Sequence, residues 1–263
     1  MPLYRLIACL LALAALPALA APDSARWDCR TRDAAGDCVG LSTYTEPDGT
    51  RLSGLRSKLG GAPGWHGLLV RYHPNGERSE CMADAGGACQ GAASLYHRNG
   101  LRESGTLVQR DGKATWTGRS STRFPNGDTL ECKVNARGDC DGEATLRWQS
   151  GGRLQGRIAQ GRNGPEWRGR IAHYYRSGDR EECEAASPAG LCQGNTTYTF
   201  VDGTRLIGRK QLRGEQAVWT GEVQQVFASG KRMRCDAARK LLCEEDTQIP
   251  VDGHGRPLGR IPR

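Results

Sequence analysis

Three phenylalanines and three methionines in 263 residues are few for a chain that must enclose a globular core. Hydrophobic residues make up 37%, and past the N-terminus no apolar run approaches the roughly 18 residues a membrane-spanning helix needs. The nucleophile elbow G-x-S-x-G, the zinc-protease pattern H-E-x-x-H, the phosphate loop and any C-x-x-C pair are all missing. The sequence therefore predicts no catalytic residue, no cofactor and no thiol-redox centre. Charged residues are an ordinary 25% and prolines number 12, so the chain is neither a disordered polyelectrolyte nor a proline-rich linker.

Glycine and cysteine are abundant instead. The 36 glycines are about twice the usual frequency of roughly 7%, and eleven cysteines are too many for idle buried thiols. Together they describe a turn-rich β chain held by covalent staples.

Residues 1–20 read as a secretory signal peptide. Met1 to Arg5 is a short basic start, Leu6 to Leu16 an apolar run, and Ala18-Leu19-Ala20 a small-x-small cleavage site. Leu6-Ile7-Ala8-Cys9 also resembles a lipobox, but the long apolar segment follows Cys9 rather than preceding it, which argues against a lipid anchor there. The expectation is an exported protein, periplasmic or secreted. Without Arg5, 36 basic residues face 29 acidic ones, a net charge of about +7.

The remaining ten cysteines fall in five close pairs: Cys29/Cys38, Cys81/Cys89, Cys132/Cys140, Cys183/Cys192 and Cys235/Cys243. Their second members, and the tryptophans Trp65, Trp116, Trp167 and Trp219, recur every 51 or 52 residues. A fixed period of this kind is the signature of a repeat architecture. Within it lies a finer unit, in which a glycine is followed nine residues later by another, eight times from Gly40/Gly49 to Gly221/Gly230. Asp, Asn or Ser precedes each second glycine, as in Asn75-Gly76 and Asp202-Gly203. These are hairpin turn signals, because glycine accepts positive φ and Asn or Asp tolerates it. Apolar residues alternate along the strand before each turn, so each unit reads as a β-hairpin with one covered face. Val251-Asp252-Gly253 echoes the motif as a ninth, degenerate unit, and the division read is 1–20 signal peptide, 21–243 repeat domain and 244–263 terminal cap or tail.

The units Tyr72-His73-Pro74-Asn75-Gly76 and Tyr96-His97-Arg98-Asn99-Gly100 resemble the MORN repeat, in a bacterial form built around Y-x-x-N-G. The resemblance covers roughly residues 38–243. It departs from the family where Cys replaces the closing Gly in alternate units and where tyrosine is sparse. The resemblance implies an all-β, elongated and twisted antiparallel sheet of about eight to nine successive hairpins, and it implies no catalytic residues.

Five residues after the turn glycine, the closing position alternates strictly: Gly54, Cys81, Gly105, Cys132, Gly156, Cys183, Gly208, Cys235. Each such Cys is eight or nine residues from the next, so loop-closure entropy favours local disulfides over long-range ones. C-x7-C is no usual zinc spacing and no matching His follows, so disulfides are expected and a metal site is not.

Arginine follows the turn glycine by two residues at Arg51, Arg78, Arg102, Arg153, Arg180, Arg205 and Arg232, with Thr129 the exception. A two-residue loop would set each Arg opposite the sixth strand position, giving Glu46–Arg51, His73–Arg78, His97–Arg102, Trp148–Arg153, Tyr175–Arg180, Phe200–Arg205 and Phe227–Arg232. Two readings follow. One is a structural Arg–aromatic ladder, each contact worth about 0.5–1 kcal/mol. The other is a basic and aromatic binding stripe for lipid phosphate or an acidic glycan. His73 and His97 share one slot in consecutive hairpins, which suits either an aromatic substitute or a metal pair. Nucleic acid is a poor candidate, since the charge is moderate and no recognition motif appears.

The primary expectation is thus a non-enzymatic, exported binding or scaffolding module of the bacterial cell envelope, contacting a protein partner or an anionic envelope surface. An antitoxin or immunity-type protein that neutralises an exported toxin is the first alternative, and an unrecognised envelope hydrolase the second. The exposed first and last strands leave the oligomeric state open.

Overall fold

The computed structural model describes residues 25–58, 61–162, 164–239 and 242–245. The expected signal peptide, Cys9 and the ninth degenerate unit lie outside them. Eighteen strands form one open antiparallel sheet in which every strand pairs with its neighbours in sequence. The order begins β1 (Arg26–Arg32), β2 (Cys38–Thr45), β3 (Arg51–Lys58), β4 (Pro63–Tyr72), β5 (Arg78–Ala83) and β6 (Cys89–Tyr96). It continues β7 (Arg102–Arg110), β8 (Lys113–Arg123), β9 (Thr129–Val134), β10 (Cys140–Arg147), β11 (Arg153–Gly161) and β12 (Gly164–Tyr174). It closes with β13 (Arg180–Ala186), β14 (Cys192–Thr199), β15 (Arg205–Arg213), β16 (Gln216–Val226), β17 (Arg232–Asp236) and β18 (Leu242–Glu245). The last strand straddles the expected boundary at 243/244. At the usual strand spacing the sheet extends roughly 80 Å across its strands, with the right-handed twist of such sheets.

All eight glycine turns lie at one end of the strands and share one geometry. In the β4–β5 turn, Gly76 N–H donates to His73 O at 3.0 Å and His73 N–H donates to Glu77 O at 2.9 Å. Gly76 has φ +87°, and the Asn75 side-chain oxygen accepts from Glu77 N–H at 3.0 Å. This is a three-residue loop, a type I turn closed by a left-handed glycine, rather than the two-residue loop that Asn-Gly pairs suggest. The added residue shifts the register by one, which turns a side chain to the other face.

At the opposite end, long hairpins such as β7–β8 alternate with short ones closed by a disulfide. Cys29–Cys38, Cys81–Cys89, Cys132–Cys140 and Cys183–Cys192 are bonded, with Cα separations of 5.4–5.6 Å. For the fifth pair, β17 and β18 set Cys235 opposite Cys243 in register, while the Cys243 side chain lies outside what is described. The disulfide loops fold onto the tryptophan face: Trp65 N–H donates to Ala85 O and Trp167 N–H to Pro188 O, each at 3.1 Å.

That face holds the thin core, in two clusters. One contains Leu52, Trp65, Leu69 and Leu107, the other Leu154, Ile158, Trp167 and Ile171. The Gly/Cys alternation is explained here. A Cβ on Gly156 would sit 2.6 Å from Ile171 Cγ2 and 3.1 Å from Arg170 O, so the closing position on long hairpins has no room for a side chain.

Candidate binding face

The register assembles one continuous row beside the glycine turns, on the face away from the tryptophans. From β1 to β17 it reads Arg26, Thr45, Arg51, Tyr72, Arg78, Tyr96, Arg102, Arg123, Thr129, Arg147, Arg153, Tyr174, Arg180, Thr199, Arg205, Val226, Arg232. Ten of these are arginines. All are exposed except Arg78 and Arg153, which are half-buried.

The expected cross-strand pairs are therefore corrected. Each Arg faces the fifth strand position, not the sixth, because of the longer loop. The rings in contact are tyrosines: Arg51 lies 5.0 Å from the Tyr72 centroid, Arg78 and Arg102 lie 4.1 and 4.9 Å from Tyr96, and Arg153 and Arg180 lie 3.9 and 5.2 Å from Tyr174. Two residues of the row that the two-residue register leaves unseen are Arg123 and Arg147. They stand directly opposite Arg102 and Arg153, and like charges in that position destabilise a sheet. The available signal was the Tyr of Y-x-x-N-G itself, which occupies the fifth position in those units.

One row inward, Glu80, Glu131 and Glu182 recur. Glu80 pairs with Arg78 at 2.9 Å, and Glu182 pairs with Arg180. One row further, the first repeat carries an exposed apolar quartet. Leu41 and Leu55 pair directly, as do Leu68 and Met82, and they are 73%, 48%, 57% and 44% exposed. Their equivalents in later repeats are Ala92, Thr106, Arg119 and Lys133, then Glu143, Arg157, Arg170 and Glu184. The fourth repeat has Asn195, Arg209, Glu222 and Asp236 there, so folding does not require the apolar set: three repeats fold without it.

The sixth-position aromatics fall on the tryptophan face. Trp148, His173, Tyr175, Tyr198 and Phe200 form a chain with centroid steps of 6.0, 5.9, 5.7 and 4.9 Å. Tyr175 OH donates to Glu181 at 2.7 Å, and Tyr198 OH donates to Asp179 at 3.0 Å. Burial first, then these carboxylates, push the Tyr175 phenol well above its ordinary range and the Tyr198 phenol up to about 12. Glu181 is 5% exposed and is also ion-paired with Lys210. Phe227 is half-buried and outside this chain of rings. The structure thus separates Trp148, Tyr175 and Phe200 from Arg153, Arg180 and Arg205, which the sequence reading had joined.

His97 bridges two carboxylates, Glu77 at 3.2 Å and Glu103 at 3.4 Å. Asn75 first and His97 second hold the Glu77 carboxyl below its ordinary value. Among the described residues no group of three or more His, Cys, Asp or Glu side chains converges as a metal site, and no helix is long and apolar enough to cross a membrane.

No family model matches the chain, and no curated protein sequence does. Solved structures similar to it include the TCP10 domain of Danio rerio CPAP, with 14% identity over 87% of this chain and 97% of that one and a TM-score of 0.48. Another is the TCP domain of Drosophila melanogaster SAS-4 (dCPAP), in complex with a proline-rich motif of Ana2, with 14% identity over 68% and 88% and a TM-score of 0.39. At TM-scores below 0.5, nothing about ligand or role passes from them to this chain.

Proposed function

We propose that this chain is a non-enzymatic, exported binding or scaffolding module of the bacterial cell envelope, a MORN-like array that contacts an anionic partner surface through its arginine row. The observation that carries this reading is that the register sets arginine directly opposite arginine twice, Arg102 with Arg123 and Arg147 with Arg153. A sheet gains nothing from opposing two like charges across strands, and while Arg102 and Arg153 stack on Tyr96 and Tyr174, Arg123 and Arg147 add charge opposite them with no ring of their own among the described residues. A bound polyanion would relieve both pairs. The disulfides support an oxidising compartment, and like residues set along a line suit an extended partner better than a catalytic pocket.

The test separates binding from structure. Replacing Arg102, Arg123, Arg147 and Arg153 together with Gln removes the like-charge pairs. Capture of native envelope material by the purified protein at low salt should fall sharply, while the melting temperature should change little, because relief of the two like-charge pairs offsets loss of the Arg102–Tyr96 and Arg153–Tyr174 stacks. Wild-type capture should also weaken steeply as salt is added, since exposed charges are screened within about 10 Å at 0.1 M. Undiminished capture by the quadruple variant overturns the proposal.

The apolar quartet favours a protein as that partner, in keeping with an immunity-type role against an exported toxin. Leu55→Gln with Leu68→Gln should then weaken capture of one discrete protein with little change in salt dependence. Capture that is unaffected would remove this second reading.

A further inference from the structure

A cavity of about 510 Å³ opens on the tryptophan face, between the disulfide loop at 84–88 and the β7–β8 hairpin. Its size falls within the range of small-molecule sites, roughly 300–1,000 Å³. Leu95, Leu107 and Trp116 supply apolar and aromatic walls, while Arg71 and Ser79 face each other across β4 and β5 at its floor. The Arg71 Nε is buried with no hydrogen-bond partner, and no carboxylate is ion-paired to Arg71 among the described residues.

The next repeat shows the same place with a different floor. Leu95, Leu107, Gln109 and Trp116 recur there as Leu146, Ile158, Gln160 and Trp167. Even the same bond is kept, since Gln109 donates to Cys89 O at 2.6 Å and Gln160 to Cys140 O at 3.0 Å. At the floor, however, Arg71 and Ser79 are replaced by Thr122 and Leu130, which occupy the same register opposite each other. Leu130 packs into the core cluster. The first repeat has thus exchanged a core leucine and a threonine for a serine and an arginine, leaving a hollow with a cation in it. Arg71 is half-buried with its Nε unpaired, and a donor so placed gains from an anionic acceptor that enters the hollow.

We propose that this cavity binds a small organic acid, its carboxylate held by Arg71 and Ser79 and its apolar or aromatic body against Leu95, Leu107 and Trp116. The site lies on the face opposite the arginine row and does not depend on the function proposed above.

The repeat supplies its own control variants. Ser79→Leu installs the side chain that the second repeat uses at this position, so the fold should be kept or stabilised while the cavity is filled. Arg71→Thr installs the second repeat's other floor residue and removes the anchor. Binding is read by ligand-observed fluorine NMR with 4-fluorophenylacetate, using 4-fluorophenylacetamide as the neutral twin. Wild type should bind the acid and bind the amide about tenfold or more weakly, as expected for loss of a charge-assisted hydrogen bond. Ser79→Leu should abolish binding with an unchanged or higher melting temperature, and Arg71→Thr should reduce acid binding to the level of the amide. No binding of the acid to wild type at millimolar concentration overturns the proposal. Equal binding of acid and amide, or undiminished binding to Ser79→Leu, does so too.

Discussion

Arg78 sits 4.1 Å over the ring of Tyr96, directly opposite it across β5 and β6. Arg102, opposite the same tyrosine from β7, lies 4.9 Å from its ring, so one ring serves two cations on the strands flanking its own. A double-mutant cycle with Arg78→Gln and Tyr96→Leu, followed by urea unfolding, should give a coupling of about 0.5–1 kcal/mol. The same cycle between Arg102 and His97, the pair a two-residue loop would have made, should give a coupling near zero. A reversed result would mean that the three-residue loop is wrong.

The bridges should contribute separately. Replacing Cys132 and Cys140 together with Ser opens a loop of eight residues, and chain entropy alone assigns about 2.5 kcal/mol to its closure. The cost should be close to that of the Cys81/Cys89 double variant, because both close loops of the same length in equivalent hairpins. Equilibrium unfolding without reductant checks both. A loss shared cooperatively across bridges would instead show that neighbouring repeats unfold as one unit.

Much of this architecture was legible because it depends on spacing. The period of the cysteines, the turn glycines and the Gly/Cys alternation pointed to successive hairpins and five local bridges; the described residues show the hairpins and four of the bridges, while the Cys243 side chain and the ninth unit lie outside them. The register was not legible. Asn75-Gly76 suits both a two-residue and a three-residue loop, and only the hydrogen bonds of His73 with Gly76 and Glu77 decide between them. That single residue moved Trp148, Tyr175 and Phe200 to the other face from their expected arginine partners and brought Arg123 and Arg147 into the row. The cavity at Arg71 was hidden for another reason. Its meaning lies in a comparison of Ser79 with Leu130, which requires knowing that both occupy equivalent places in the register.

Gly156 tests the closing position. Its added methyl would meet Ile171 Cγ2 at 2.6 Å and the Arg170 carbonyl at 3.1 Å, neither of which can swing away freely. Gly156→Ala should destabilise the protein by about 1–3 kcal/mol through overpacking. Gly118→Ala is a different case, since nothing lies within 4 Å of its Cβ and only its φ of +71° opposes the change, so it should cost about 1 kcal/mol. Thermal melts of the two variants should rank in that order.

The two raised tyrosines give a dependence on alkaline pH. An acid whose folded pKa is raised holds its proton more tightly when folded. Its contribution to stability is therefore complete below its unfolded value near 10 and is lost as the pH climbs through the folded value. For Tyr198 that loss spans the interval from about pH 10 to about 12, and Tyr175 is shifted in the same direction by burial and Glu181. Followed by ultraviolet absorbance of the phenolate, Tyr175 and Tyr198 should ionise above the ordinary tyrosine range near 10, with Tyr175 coinciding with unfolding. Tyr198→Phe should remove one late step and leave the rings of Tyr175 and Phe200 packed, with the Ser177 hydroxyl still donating to the Asp179 oxygen that the Tyr198 hydroxyl also holds. Asp179 keeps the backbone N–H of Val201 at 2.9 Å, so the β14–β15 turn should stay closed and the loss at neutral pH should be limited to about 1 kcal/mol for one hydrogen bond. A curve in which Tyr175 and Tyr198 ionise near pH 10, with the fold intact, would show that the carboxylates of Glu181 and Asp179 do not hold these hydroxyls.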